Sequence, residues 1–268
     1  MERPNWIPAD LNVDRPNAAR IYDYFLGGSH NLAADRAMAR QIVDLVPEIP
    51  LIAHANRAFL RRAVKYCVEA GIRQFLDLGS GIPTAGSVHE VAQRAAWDAR
   101  VVYVDIEPVA VAHSRVILAG NNRVAAVQAD VREPERILSD PRLLALLDFS
   151  QPIAVLMVAL LSFVPDADEP ARLVGRYRDA LAPGSYLAIS HACGEGRPDD
   201  AERLNGFFQQ TSTPLLIRGR AEVEKMFEGF EFVDPGLVYV QEWRPDYLGE
   251  AEEHPERTGL VVGVGRKP

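Results

Sequence analysis

The chain reads as an α/β protein, with helices first, a mostly parallel sheet next and an antiparallel hairpin last. Three observations lead there. From Gln74 onward, short apolar runs alternate with amphipathic helical stretches, the pattern of parallel strands joined by crossover helices. Before Gln74 the apolar residues recur with helical spacing and form no strand-like run. The last two apolar runs, LVYVQEW (237–243) and LVVGVGR (260–266), have no helix between them and are expected to pair as a hairpin with a long loop.

Each element follows from local pattern. Residues 1–14 form an extended arm rich in Pro and Asn. Ala18, Ile21, Tyr22 and Phe25 share one helical face, and Gly27-Gly28 breaks that helix. Asn31 is placed to cap a second helix with the stripe Ala34, Met38, Ile42 and Leu45, ended by Pro47 and Pro50. A third helix is expected from about His54 to Ala70, with Phe59, Leu60, Ala63, Val64 and Cys67 inward and Gly71 as its stop. Residues 1–71 thus form an arm and a helical cap over the ligand-bearing sheet edge, and residues 72–268 form the sheet domain. Gln74–Leu78 is the first strand. The next helix carries Val88, Val91, Ala92 and Ala95, with Ser87 and Glu90 spaced for a capping box. A second strand ends at Asp105, and Pro108 suits the first turn of its helix. A third strand covers Val124 to about Asp130. Pro152–Leu161 is the fourth, its helix runs from about Glu169 to Leu181, and Ser185–Ala192 is the fifth. Helices near 199–210 and 221–227 precede the hairpin.

The chain has 268 residues, enough for one large domain with an extension. Its 37 acidic against 29 basic residues give a net charge of −8, which argues against a non-specific nucleic-acid surface. Local patches can differ from the net, so RNA and protein substrates stay open. The start, MERPNWIPADLN, has no apolar signal core, and no window is long enough to span a bilayer. A cytoplasmic protein is expected. Cys67 falls on an apolar helical stripe and Cys193 in a loop near the predicted site, so no disulfide is expected. The histidines are scattered without zinc-ligand spacing, and no metal is expected.

The densest chemical signal is FLDLGSGIPT (75–84). The apolar strand carries Asp77 two positions before the first glycine, and Gly79 and Gly81 let the backbone turn and lie close to a ligand. An acid before the turn suits a nucleoside ligand that carries positive charge, as S-adenosylmethionine does. A dinucleotide is the rival, but its fingerprint wants a third glycine where Thr84 stands, and a carboxylate repels a diphosphate. Asp105, at the tip of the second strand, can accept from both ribose hydroxyls, and Asp130, at the tip of the third, can accept from an adenine amino group.

DLGSG, VDIEP and QADVRE together resemble a class I S-adenosylmethionine-dependent methyltransferase. RPNAARIYDYFLGGSHNLAADR (15–36) resembles the signature of an actinobacterial family labelled S-adenosyl methyltransferase. The resemblance runs from about Asp14 to Lys267. It implies a Rossmann-like fold of seven strands, the last pair antiparallel, and S-adenosylmethionine as cofactor, released as S-adenosylhomocysteine. Asp77, Gly79, Ser80 and Gly81 are expected at its methionine end. Asp105 is expected at the ribose, Ile106 beside the adenine, Asp130 and Val131 at the adenine edge, and Ala159 and Leu160 along its border. The motifs do not identify a methyl acceptor.

On the acceptor side, Tyr22 and His191 are the candidate catalytic groups, with Tyr24, His30, Asn31, Ser162 and Phe163 as candidate pocket residues. Tyr22 also fits the helix core, and His191 also fits a structural loop position. A small-molecule methyltransferase is the expected function, because a lid over the cofactor makes an enclosed pocket. A non-catalytic module that binds S-adenosylmethionine is the alternative, since no base stands out. A protein or RNA methyltransferase is the third reading and would need an open groove.

Overall fold

The computed structural model describes residues 14–83, 86–195, 198–208, 214–246 and 254–268. The expected arm, apart from Asp14, Thr84 of the glycine turn and the last two residues of the expected 199–210 helix lie outside them. The chain opens with α1 (Ala18–Phe25), α2 (Ala33–Leu45) and α3 (Ile49–Glu69). Asn17 caps α1, its Oδ1 accepting from Ala19 N at 2.8 Å. Asn31 does not cap α2. Leu32 holds that position, and its N–H donates to Asp35 Oδ2 at 2.7 Å. Asn31 instead reaches back to Asp23 and to the Gly28 carbonyl. Helix α3 begins before the expected His54, because Pro50 sits in its first turn, where a missing N–H is no loss.

The sheet region runs β1 (Gln74–Leu78), α4 (Val88–Ala95), β2 (Arg100–Asp105), α5 (Pro108–Ile117) and β3 (Val124–Gln128). Two short helices, α6 (Pro134–Leu138) and α7 (Pro141–Leu144), lead to β4 (Ala154–Val158). Then come α8 (Pro170–Ala180), β5 (Tyr186–Ala192), α9 (Pro198–Phe208) and α10 (Arg220–Lys225). Three strands close the chain: β6 (Glu231–Phe232), β7 (Val238–Tyr239) and β8 (Leu260–Arg266).

The strand order is β3-β2-β1-β4-β5-β8-β6, with β7 also on β8. The five strands from β1 to β5 are mutually parallel, and β8 runs antiparallel to β5. The direction of the strand order reverses at β1, between β2 and β4. A crevice opens there at the carboxyl ends of the strands, the place where such sheets bind ligands. The sheet has eight strands, not the expected seven, because the penultimate strand is split in two. Pro235, which has no N–H, and Gly236 (φ 92) interrupt the run between β6 and β7. The expected strand over 237–243 also stops early. Val240 N still donates to Leu260 O at 3.0 Å, and Arg62 holds the turn that follows by donating to the carbonyls of Val240 and Trp243, each at 2.8 Å.

Alternate residues of the strands feed two layers. Phe75, Val101 and Ala154 pack with Phe59, Leu60, Val64 and Cys67 of α3. Leu76, Val102 and Val155 pack with Ile137, Leu173 and Val174 on the other face. Helix α3 therefore covers the sheet as well as reaching the cap. A smaller core, built from Ile21, Phe25, Met38, Ile42 and Ala53, is joined by Phe208 of α9 and by Leu215. The cap thus draws on the second half of the chain, which local periodicity does not reveal.

Candidate active site

The crevice is a cavity of about 390 Å³ between the carboxyl ends of β1 to β4 and the cap. Every residue expected to hold the cofactor lines it: Asp77, Gly79, Ser80, Gly81, Asp105, Ile106, Asp130, Val131, Ala159 and Leu160. Gly79 (φ 67) and Gly81 (φ 62) both take the left-handed conformation that favours glycine. A Cβ on Gly79 would also lie 2.5 Å from the Leu160 side chain. The turn is pinned to β2, since Gly79 N and Ser80 N both donate to Val104 O, at 2.8 and 3.2 Å.

Asp105 braces the same turn. Its Oδ2 accepts from Gly81 N at 2.7 Å and its Oδ1 from Glu107 N at 2.8 Å. Burial raises its pKa, and these N–H donors pull the other way. Asp77 is nearly shut from solvent, and no described residue donates a hydrogen bond to its carboxylate. Burial pushes its pKa up to about 7; the charge of Arg57 opposes that shift and the charge of Asp105 adds to it. Ile106 is half-exposed and offers an apolar wall. The Asp130 carboxylate is taken by Arg132, which donates to it through Nε at 3.0 Å and Nη2 at 2.5 Å. Burial works to raise the Asp130 pKa, but the Arg132 bonds and charge hold it below the usual range. An adenine amino group would share this acid with Arg132. Ala159 closes the floor at φ 55, unusual for a residue with a Cβ, and its N–H donates to Ser190 Oγ at 2.8 Å.

The candidate acceptor residues separate into two groups. Tyr22, Ser162 and Phe163 line the cavity; Tyr24, His30, Asn31 and His191 do not. The Tyr22 hydroxyl donates to Ala53 O and accepts from Asn56 Nδ2, both at 3.0 Å. Burial raises its pKa against the influence of Arg57 and Asn56, so it faces the cavity as a neutral phenol. His191 is fully buried. Its Nε2 lies 3.0 Å from Arg218 Nη1, and its Nδ1 lies 2.8 Å from Ala192 O and 3.3 Å from Ser162 Oγ. Burial pushes its pKa down to about 4. The geometry makes it a joint between β5 and the residues after β4, out of reach of a ligand in the cavity. His30 and Asn31 serve Asp23, whose Oδ2 accepts from His30 N at 2.8 Å and Asn31 Nδ2 at 2.9 Å. Tyr24 packs edge-on against Phe25.

Sequence reasoning missed the joint that fixes the cap. Arg20 and Asp35 are fully buried, and Arg20 Nε lies 2.7 Å from Asp35 Oδ2. Arg20 Nη1 lies 2.8 Å from Glu107 Oε1, and Asn17 Nδ2 donates to Glu107 Oε2 at 2.8 Å. Two helices of the cap are thereby bolted to the residue whose own N–H braces Asp105. Asn56 and Arg57, both lining the cavity, were also missed. The one available signal was the adjacent polar pair Asn56-Arg57 interrupting the apolar turns of α3.

Comparison with known proteins agrees with this geometry. A family model described as S-adenosyl methyltransferase matches residues 4–268. The crystal structure of a candidate methyltransferase from Thermobifida fusca YX is 42% identical, with a TM-score of 0.92 over 98% of this chain and 99% of that one. A DUF574 family protein from Streptomyces avermitilis is 38% identical, with a TM-score of 0.91 over 96% and 100% of the two chains. Human N-acetylserotonin methyltransferase, crystallised with S-adenosylmethionine, shares the fold at 14% identity and a TM-score of 0.50, over 95% of this chain and 63% of that one. No curated protein matches the chain. Among the described residues, no helix is long and apolar enough to cross a membrane.

Proposed function

Because the chain belongs to the S-adenosyl methyltransferase family and its cofactor is S-adenosylmethionine, we propose that it methylates a small, largely apolar molecule held beneath the helical cap. The observation that carries this reading is the continuity of the cavity. Its floor is the set of cofactor loops, and its roof is apolar, with Phe25, Leu26, Ile49, Phe163, Phe208 and Ile217. An apolar roof over a cofactor floor suits a small apolar ligand with few polar anchors. A protein or RNA substrate needs an open groove, and the cap stands over that edge.

The floor fits the cofactor. A buried carboxylate without a hydrogen-bond donor (Asp77), two left-handed glycines, an acid braced by backbone N–H groups (Asp105) and a half-exposed isoleucine together suit a cationic nucleoside. When bound, S-adenosylmethionine supplies a methyl group already activated by its sulfonium. Asp77 with the glycine turn would hold the methionine end, Asp105 the ribose, and Ile106, Asp130 and Val131 the adenine. Residues 18–45, with α9, would act as the cap that excludes water. Position then does most of the work, since near-attack alignment alone lowers the barrier substantially. Tyr22, as a neutral phenol, would orient the acceptor and not deprotonate it. His191 would serve the fold.

Incubating the protein with methyl-tritiated S-adenosylmethionine and a bacterial lysate, then fractionating, tests the acceptor class. Label in the solvent-extractable small molecules is expected. Label confined to protein or RNA would refute the enclosed-acceptor reading. Saturable cofactor binding with no label in any fraction would favour the regulatory module instead.

A further inference from the structure

The sheet edge opposite the cofactor loops carries arginine where the other edge carries acid. Arg73 precedes β1, Arg100 opens β2, Arg123 precedes β3 and Arg266 ends the antiparallel β8. The first three start neighbouring strands, because Arg100 N donates to Arg73 O at 2.8 Å and Val101 N to Arg123 O at 3.0 Å. Adjacent strands lie about 4.8 Å apart, so these side chains leave the backbone in a close row. All four arginines line one open groove of about 690 Å³. Two acids, Asp98 and Asp148, line it with them. Asp98 Oδ1 lies 3.5 Å from Arg73 Nε, while Asp148 Oδ1 accepts from Ser150 N and Oγ at 3.0 and 2.7 Å. Arg100 Nη1 donates only to a carbonyl, that of Leu146, at 3.2 Å. Among the described residues, the guanidinium groups of Arg123 and Arg266 have no hydrogen bond and no carboxylate partner. In a chain of net charge −8, this groove is a local positive field.

A guanidinium presents a planar fork of donors that pairs with two phosphate oxygens at once, and a row of them suits consecutive phosphates. Trp97 adds a flat surface. It lines the same groove, it is 73% exposed, and Arg123 lies over its ring at 4.7 Å from the centroid. An exposed indole beside a basic groove is a platform on which a base of any identity stacks. We propose that the groove binds nucleotide phosphates, held by Arg73, Arg100, Arg123 and Arg266, with the base stacked on Trp97. A free nucleotide and a nucleic-acid strand share that chemistry. The groove has no lining residue in common with the methyl-donor cavity, so the two sites can be filled together.

The test is calorimetric titration at low salt, with S-adenosylhomocysteine in excess to fill the cofactor cavity. The probes are uridine triphosphate, inorganic triphosphate and a single-stranded oligouridylate, none of which carries adenine. Saturable binding of uridine triphosphate, tighter than inorganic triphosphate, is expected. A tighter oligouridylate would identify a strand as the source of the nucleotide, and a weaker one a free nucleotide; either supports the site. Arg100→Met combined with Arg266→Met is expected to weaken every probe by about tenfold to a hundredfold. Trp97→Leu is expected to weaken the uridine probes by about fivefold to a hundredfold and to hold inorganic triphosphate within about threefold. Binding of S-adenosylhomocysteine within about threefold of wild type reports an intact fold in both variants. No binding of either uridine probe to the wild type, or binding that neither variant weakens, would overturn the assignment. Inorganic triphosphate bound as tightly as uridine triphosphate would overturn the nucleotide reading.

Discussion

Replacing Asp77 by asparagine should stabilise the cofactor-free protein at neutral pH and above, while weakening its hold on the cofactor. The carboxyl is moved from an ordinary value of 3.8 to about 7, chiefly by burial. Between those values the folded protein keeps a proton that the unfolded chain releases, so this group's contribution is fully present below about pH 4 and is lost as pH rises to about 7. A displacement of about three units corresponds to about 4 kcal/mol, at about 1.4 kcal/mol per unit. Asparagine keeps the shape, removes the ionisation and flattens that slope. Urea unfolding of both proteins at pH 4.5, 6 and 8 checks it, because titrating groups remote from Asp77 are common to the pair and cancel. The stability difference is expected to move in favour of Asp77→Asn by about 3 kcal/mol over this range, the first ~1 kcal/mol having been lost below pH 4.5. A difference that stays constant with pH, or that turns in favour of the wild type at pH 8, would refute the assignment of a buried, unpartnered carboxylate. Titration with S-adenosylhomocysteine should show the opposite preference, with the variant the weaker binder.

Three further outcomes follow from contacts at the site. If Asp105 holds the ribose as proposed, Asp105→Ala should weaken S-adenosylhomocysteine by about tenfold to a hundredfold in calorimetry, since the brace on Gly81 N is lost with it. Arg20→Met should destabilise the protein by about 3–5 kcal/mol in chemical denaturation, because Asp35 and Glu107 are left as buried charges without their cation. Gly28→Ala should lower the thermal midpoint, at a cost of about 1–3 kcal/mol, since the new Cβ would fall 2.1 Å from Asp23 Oδ1; an unchanged midpoint would show that the loop can yield there.

The loops of the cavity floor were legible in the sequence because they are written in short contiguous runs. Gln74–Leu78 is a mostly apolar strand followed by glycine, and the acids at the ends of β2 and β3 stand there by chain order alone. Boundaries failed where one residue type serves two purposes. Pro50 reads as a helix breaker but sits in the first turn of α3, and Asn31 reads as a cap but serves Asp23. His191 stands on the predicted edge, yet β5 lies between β4 and β8, and that position turns the imidazole inward to Arg218. What could not be read depends on distant partners. Glu107 looks like a surface acid until Asn17 and Arg20, 90 and 87 residues away, close on it. Arg57 reads as a surface cation until the fold sets it on the cavity wall with Asp77.

The roof of the cavity draws on two stretches of the chain, one early, with Phe25, Leu26 and Ile49, and one in its second half. Phe208 of α9, Leu215 and Ile217 face the acceptor side, while the ion cluster and the cofactor loops all lie before residue 165. A mutation in α9 can therefore redraw the shape offered to an acceptor without disturbing Asp77, Asp105 or the bolt at Glu107.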